Sequence, residues 1–192
     1  VSRGPDEPSR GSFDGKTYQA RFDALARSGV DVHGEATMVR SYEPATVLDA
    51  GCGTGRVAIE LASHGIDVVG VDVDPSMITE ARRLAPQLAF LEVDLSELAL
   101  GRHFDVVVLA GNVPLFCPPL RRRELIVRCA EHVGFDGVLL TGFQLGRGYG
   151  LAELDEAVGS VGLVLEDRWS SWERATFDDD SDYAVSVLRS AR

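Results

Sequence analysis

Long apolar runs are missing from this sequence. The longest stretch without a charged residue covers 106–120, and Asn112, Pro114, Pro118 and Pro119 interrupt it. A helix needs about 20 consecutive apolar residues to span a bilayer, so no membrane association is expected. Residues 1–12 (VSRGPDEPSRGS) carry Arg, Asp and Glu without an apolar segment, and so do not read as a secretion signal. Cysteine is scarce too. Cys52, Cys117 and Cys129 form no CxxC pair and leave an odd count. That argues against a disulfide framework and against a cysteine metal centre, and points to a reducing, cytoplasmic setting. Positive charge is in deficit: 19 Lys and Arg face 30 Asp and Glu, a formal net charge of −11. Such a chain is repelled by phosphate backbones, so no nucleic-acid partner is expected. The run Arg121-Arg122-Arg123 is the one candidate basic patch, and it reads more simply as a solvated helix start.

What is present suits one globular domain. The length of 192 residues is enough to bury a core without staples, with 45% apolar and 26% charged residues. Residues 1–12 read as a disordered tail, and 13–192 as a single domain. A helical pattern begins at Tyr18, with Phe22 and Leu25 on the same face, and stops near Gly29. A second short helix is predicted over 35–42. These two helices, within 13–43, and the loop 112–120, with Phe116 as a candidate wall, would form a lid.

Strands and helices then alternate. Strands are predicted at 46–49, 68–71, 89–93, 104–109 and 138–143. The first intervening helix buries Ala58, Leu61 and Ala62 and stops at Gly65. The second starts at Asp74-Pro75, a capping residue followed by proline in the first turn, and carries the stripe Met77, Ile78, Ala81 and Leu84. Later helix faces are Ile126, Cys129, Ala130 and Val133, then Leu151, Leu154, Val158 and Val161. Two final strands, 163–172 and 183–188, have too short a link for a crossover helix. They should pair as a hairpin, with one antiparallel to the rest. Alternation of this kind predicts an α/β fold with a mostly parallel sheet covered on both faces.

The segment VLDAGCGTG (47–55) lies between a predicted strand and a predicted helix. Glycines there permit a tight turn and let a ligand approach the backbone. The next helix offers unpaired N–H groups to an anionic group. Asp72 ends the second strand 21 residues after Gly51, where a carboxylate can accept both hydroxyls of a ribose. Asp94 ends the third strand, within reach of an adenine amino group. The dinucleotide fingerprint G-x-G-x-x-G fails, because position 56 is Arg.

With VVGVDVDPSMI, LEVDLSEL and FDVVVLAGNVPLF following in order at strand ends, the chain from about 45 to 189 resembles the class I S-adenosylmethionine-dependent methyltransferases. The resemblance implies a Rossmann-like three-layer sandwich. Its seven-stranded, mostly parallel sheet has an antiparallel last strand, and its cofactor is S-adenosyl-L-methionine. It also implies residue roles. Asp49, Gly51 and Gly53 would contact the methionine part, Cys52 would fill the turn, and Gly55 would shape it. Asp72 would hold the ribose, Val73 would pack on the adenine, and Asp94 would take its amino group beside Leu95. Ala110 and Gly111 would line the space below the sulfonium, with Asn112 near the acceptor.

The expected reaction is in-line methyl transfer to a small-molecule acceptor. A base is needed only for a protonated acceptor; His33 is the first candidate and Tyr18 the second, against plain capping and packing roles. The segment with Asp178, Asp179, Asp180 and Asp182 lacks the glycine and distal Glu of a calcium loop, so no metal is expected. One of Trp169 and Trp172 would pack in the core, the other near the acceptor or at a homodimer edge. The rival readings are a non-catalytic module that binds the cofactor and an NAD-dependent oxidoreductase.

Overall fold

The computed structural model describes residues 14–27 and 33–190, leaving aside the side chains of 21–23 and 25–26. The proposed tail at 1–12, and the packing of Phe22 and Leu25, lie outside the described residues.

Two helices come first, α1 (Gly15–Arg27) and α2 (Gly34–Arg40). The first begins three residues before Tyr18; the second starts one residue early and ends two residues before Tyr42. The parallel strands follow: β1 (Thr46–Ala50), β2 (Asp67–Asp72), β3 (Ala89–Glu92), β4 (Phe104–Leu109) and β5 (Val133–Gln144). They are linked by α3 (Arg56–Ser63) after β1, α4 (Pro75–Leu84) after β2, and a 3-10 turn (Leu95–Glu97) after β3. Between β4 and β5 lie α5 (Val113–Phe116), a second 3-10 turn (Pro119–Arg121) and α6 (Arg122–Ala130). The chain closes with α7 (Leu151–Gly159), β6 (Leu163–Trp169) and β7 (Tyr183–Ser190).

The sheet has seven strands in the order β3-β2-β1-β4-β5-β7-β6. β7 inserts antiparallel between β5 and β6, as the short link demands. One buried cluster lies beneath α6 and α7, built on Leu48, Val107, Leu139, Ile126 and Leu154. The other lies beneath α2, α3 and α4, built on Val47, Val106, Leu140, Leu61 and Ile78. Inward residues alternate between these clusters along each strand, so both faces are apolar.

Local chemistry explains the helix ends. Asp74 accepts from the N–H groups of Ser76 and Met77 at 2.8 and 3.4 Å, with Pro75 in the first turn. Gly65 takes φ +82° after α3.

Several expectations are corrected. Leu84 is 37% exposed, while Glu80 is buried beneath a fork from Arg83 (2.6 and 2.8 Å). Glu80 lies beside Gly15 of α1, and the ion pair with Arg83 neutralises its carboxylate there. Val133 begins β5 rather than continuing α6, pairing with Phe104 before the register shifts. Residues 134–137 lie within that irregularity, and Phe135 is left 89% exposed. Val161 falls beyond α7, and Trp172 beyond β6. The run Arg121-Arg122-Arg123 does open α6, as expected, with Arg121 pairing with Asp94 and Glu97 and Arg122 donating to the carbonyls of Cys117 and Gly148.

Candidate cofactor site at the carboxyl ends of the strands

β1 ends in a tight turn. The N–H groups of Gly51 and Cys52 both donate to the carbonyl of Val71, at 2.8 and 2.9 Å. Gly51 takes φ +84°, and an added Cβ would lie 2.5 Å from Val113 Cγ2. Glycine there keeps the β1 and β4 ends close together. Gly53 also has positive φ (+53°), but an added Cβ would meet only Tyr18 Cε1, at 3.7 Å. Gly51 is thus glycine for packing, whereas Gly53 leaves open space above the backbone. Gly55 caps α3 and packs against Phe90, where an added Cβ would lie 2.7 Å from Cζ. Cys52 points inward, its Sγ toward Gly70, and burial pushes its thiol well above the ordinary range. It is a packed turn residue, as the sequence suggested.

Gly55 at the cap of α3 has no side chain to satisfy the first helical N–H groups. Asp49 supplies one from the neighbouring strand: its Oδ2 accepts from Ala58 N at 3.1 Å. Asp49 is only 1% exposed. Burial pushes its carboxyl up to about 7, opposed by Arg56 and the Ala58 N–H.

Asp72 Oδ2 accepts from Gly53 N at 2.8 Å and Oδ1 from Asp74 N at 2.9 Å. One carboxylate therefore ties the glycine turn to the start of α4. Burial raises its pKa, partly offset by these N–H groups. Val73 beside it is 51% exposed, an apolar face open at the strand end. Asp94 caps the 3-10 turn through Ser96 N (3.0 Å) and Ser96 Oγ (2.7 Å). Leu95 is buried at 5% exposure, so its side chain belongs to the core.

Ala110 is half-buried, and Gly111 (φ +73°) has nothing within 4 Å of an added Cβ. Asn112 adopts a left-handed conformation at φ 69°. It joins β4 to β5 twice: its N–H donates to Gly142 O (3.2 Å), and its Oδ1 accepts from Gln144 N (2.7 Å). Phe116 is 70% exposed.

α1 lies across the turn. Thr54 Oγ1 donates to Gln19 Oε1 at 2.6 Å, and Gly15 N donates to Ser76 Oγ at 3.3 Å. This brings Tyr18 over Gly53. His33 is placed elsewhere, with Nδ1 3.6 Å from Glu60 on the flank of α3. Glu35 grips Arg56 with a two-point ion pair of 2.5 and 3.0 Å.

Sequence reasoning missed Tyr183 and the Glu35–Arg56 pair. Trp172 Nε1 donates to Tyr183 Oη at 3.2 Å, and a Cβ added to Gly142 would lie 2.6 Å from each of these side chains. They form an aromatic wall over the end of β5. A glycine amid the apolar run of β5 was the available signal for such a close approach. The acidic segment organises its own turn, with Asp178 accepting from Asp180 N and Ser181 Oγ.

Residues 47–137 match the family model described as a methyltransferase domain. The crystal structure of a TehB-like SAM-dependent methyltransferase from Corynebacterium glutamicum is 34% identical. It superposes with a TM-score of 0.86, covering 92% of this chain and 98% of that one. The chain belongs to the class I S-adenosylmethionine-dependent methyltransferases. The magnesium-protoporphyrin O-methyltransferase of Rhodobacter capsulatus is 44% identical over 78 residues, 38% of this chain and 34% of that protein. The dTDP-3-amino-3,6-dideoxy-alpha-D-glucopyranose N,N-dimethyltransferase of Streptomyces fradiae is 31% identical over 119 residues, 58% and 47% of the two chains. The chain thus spans less than half the length of these two curated relatives.

The residues present fit the family's cofactor. Gly53 and Gly111 leave room above the backbone at the strand ends, Asp72 presents a carboxylate beside that room, and Val73 offers an apolar surface.

Proposed function

We propose that this protein transfers a methyl group from S-adenosylmethionine to a small-molecule acceptor. The observation that carries the reading is the bond from Gly53 N to Asp72, which couples a carboxylate at the β2 end to the open glycine turn. Asp72 would hold the ribose hydroxyls, and Gly51 and Gly53 would pass beneath the methionine part. Asp94 would take the adenine amino group, and Val73 would pack on the ring. Asp49, buried behind the turn, would act on the methionine part by holding α3 in place.

When bound, the cofactor supplies a methyl group on a sulfonium leaving group. What remains for the chain is to align an acceptor lone pair in line with that carbon, and to exclude water. Proximity and orientation can supply roughly 7–11 kcal/mol. Gly111, Asn112, Phe116, Trp172 and Tyr183 would line the acceptor end, with α1 and α2 as the lid. For a protonated acceptor, the position of Tyr18 over Gly53 makes it the better base candidate than His33. The net charge of −11 supports a small-molecule acceptor over a nucleic acid. The porphyrin and amino-sugar substrates named for two relatives support it as well. The three free cysteines suit a cytoplasmic protein.

Calorimetric titration with S-adenosylmethionine, S-adenosylhomocysteine and NAD tests the cofactor. Micromolar binding of the first two and none of NAD is expected. Asp72→Ala should weaken S-adenosylhomocysteine binding by more than ~1.5 kcal/mol. Unchanged affinity in a folded variant would sink the ribose placement. Binding without turnover across a broad acceptor panel would favour a non-catalytic module.

A further inference from the structure

Asp94 is held from two sides by different parts of the chain. Its Oδ1 accepts from the Ser96 N–H and hydroxyl, both donors within one local turn. Its Oδ2 accepts from Arg121 Nη1 at 2.8 Å, a residue 27 positions later, at the end of the Pro119–Arg121 turn. The same guanidinium donates through Nη2 to Glu97 Oε1 at 2.6 Å. Its planar fork thus spans Asp94 and Glu97. A local turn alone would leave the carboxylate plane free to rock about its Cβ bond. A second anchor on the other oxygen removes that freedom.

The direction matters because of what Asp94 is proposed to read. An ionised carboxylate accepts hydrogen bonds and donates none, and each of its oxygens accepts more than one. A purine with a 6-amino group presents N–H there; a 6-oxo purine presents an oxygen and meets repulsion instead. Discrimination between them is sharpest when the carboxylate is held in one orientation. Arginine suits this task better than lysine, whose ammonium is a point charge on a flexible stem.

We infer that Arg121 is a positioning residue for purine recognition, fixing Asp94 so that the site selects a 6-amino over a 6-oxo purine. The inference rests on the proposed adenine role of Asp94. Arg121 also joins the start of α6 to the turn after β3, and a purely structural role would weaken all ligands alike. The test separates the two.

S-adenosylhomocysteine and S-inosylhomocysteine, its 6-oxo counterpart, are titrated by calorimetry into the wild type, Arg121→Gln, Arg121→Lys and Asp94→Asn. The wild type should strongly prefer the adenosyl ligand. Arg121→Gln should lower that affinity roughly 5- to 10-fold, the scale of one charge-assisted hydrogen bond imperfectly made. Its affinity for the inosyl ligand should change less than about twofold, so the preference narrows. Arg121→Lys should recover part of the preference, and Asp94→Asn should lose it. Equal weakening of both ligands in Arg121→Gln, or no change in either, overturns the inference. So does a Lys variant as unselective as the Gln variant when both show wild-type melting. Failure of the wild type to bind S-adenosylhomocysteine overturns the cofactor reading, and this inference with it.

Discussion

Replacing Asp49 with asparagine should make the protein's stability less sensitive to a rise in pH from about 4 to 8. Asp49 is 1% exposed, and burial lifts its carboxyl from an ordinary 3.8 to about 7. A group whose pKa is raised in the folded state contributes fully below its unfolded value, and that contribution is lost as pH rises through the folded value. For Asp49 the loss begins near pH 4 and is nearly complete by pH 8. With these two values, linkage gives roughly 2–3 kcal/mol lost between pH 5 and pH 8. Asparagine does not titrate and keeps an oxygen for Ala58 N. Its buried amide N–H groups carry a penalty of ~1–3 kcal/mol, but that penalty is the same at every pH. The readout is therefore the change in the difference between variant and wild type. Urea unfolding of both proteins at pH 5, 6, 7 and 8 measures it. The wild type should lose roughly 2–3 kcal/mol of unfolding free energy relative to the variant across that range. Parallel pH profiles would refute the reasoning, because they would mean that the Asp49 carboxyl titrates alike folded and unfolded.

The two glycines of the turn should separate stability from binding. Gly51→Ala places a Cβ 2.5 Å from Val113 at positive φ, so it should lower the melting temperature strongly. Gly53→Ala meets nothing closer than 3.7 Å, so it should cost only ~1–2 kcal/mol in stability and yet lose most S-adenosylhomocysteine affinity. Equal binding losses at matched stability would count against the distinction. His132→Ala should destabilise the fold by about 1–3 kcal/mol without changing cofactor affinity. Its ring bridges Arg128 O at 2.6 Å and Leu100 N at 3.0 Å, and both backbone groups would lose their partner. Denaturant unfolding together with calorimetry decides it; weakened binding at full stability would contradict a purely structural His132.

The elements most legible in the sequence are those fixed by nearby residues. Asp74-Pro75 announces α4 because cap and proline act within one turn. The hairpin of β6 and β7 follows from a link too short to cross the sheet. The start of β5 was hidden, because 134–137 includes Gly134, Asp136 and Gly137, all poor strand formers, and Val133 continued the apolar spacing of α6. Leu84 misled for a related reason: helical spacing does not show that Glu80 has Arg83 to neutralise it. In the candidate site, the positions of the glycine turn, Asp72 and Asp94 at successive strand ends were legible, because each ends or closely follows a strand. Arg56 with Glu35, and Trp172 with Tyr183, were not, since their partners lie 21 and 11 residues away and no local pattern links them. The cap role of Asp49 had a faint signal: a helix that starts on glycine must borrow its first acceptor from elsewhere.

The insertion of β7 between β5 and β6 sets an order on synthesis. β6 leaves the ribosome before its strand partner exists. Until β7 emerges, the outer edge of β5 and all of β6 have open backbone groups, and Val164 and Leu165 on β6 stay half-exposed even in the finished fold. An open edge of this kind is the template on which nascent chains pair with one another. β7 therefore closes two edges at once, the outer edge of β5 and the inner edge of β6.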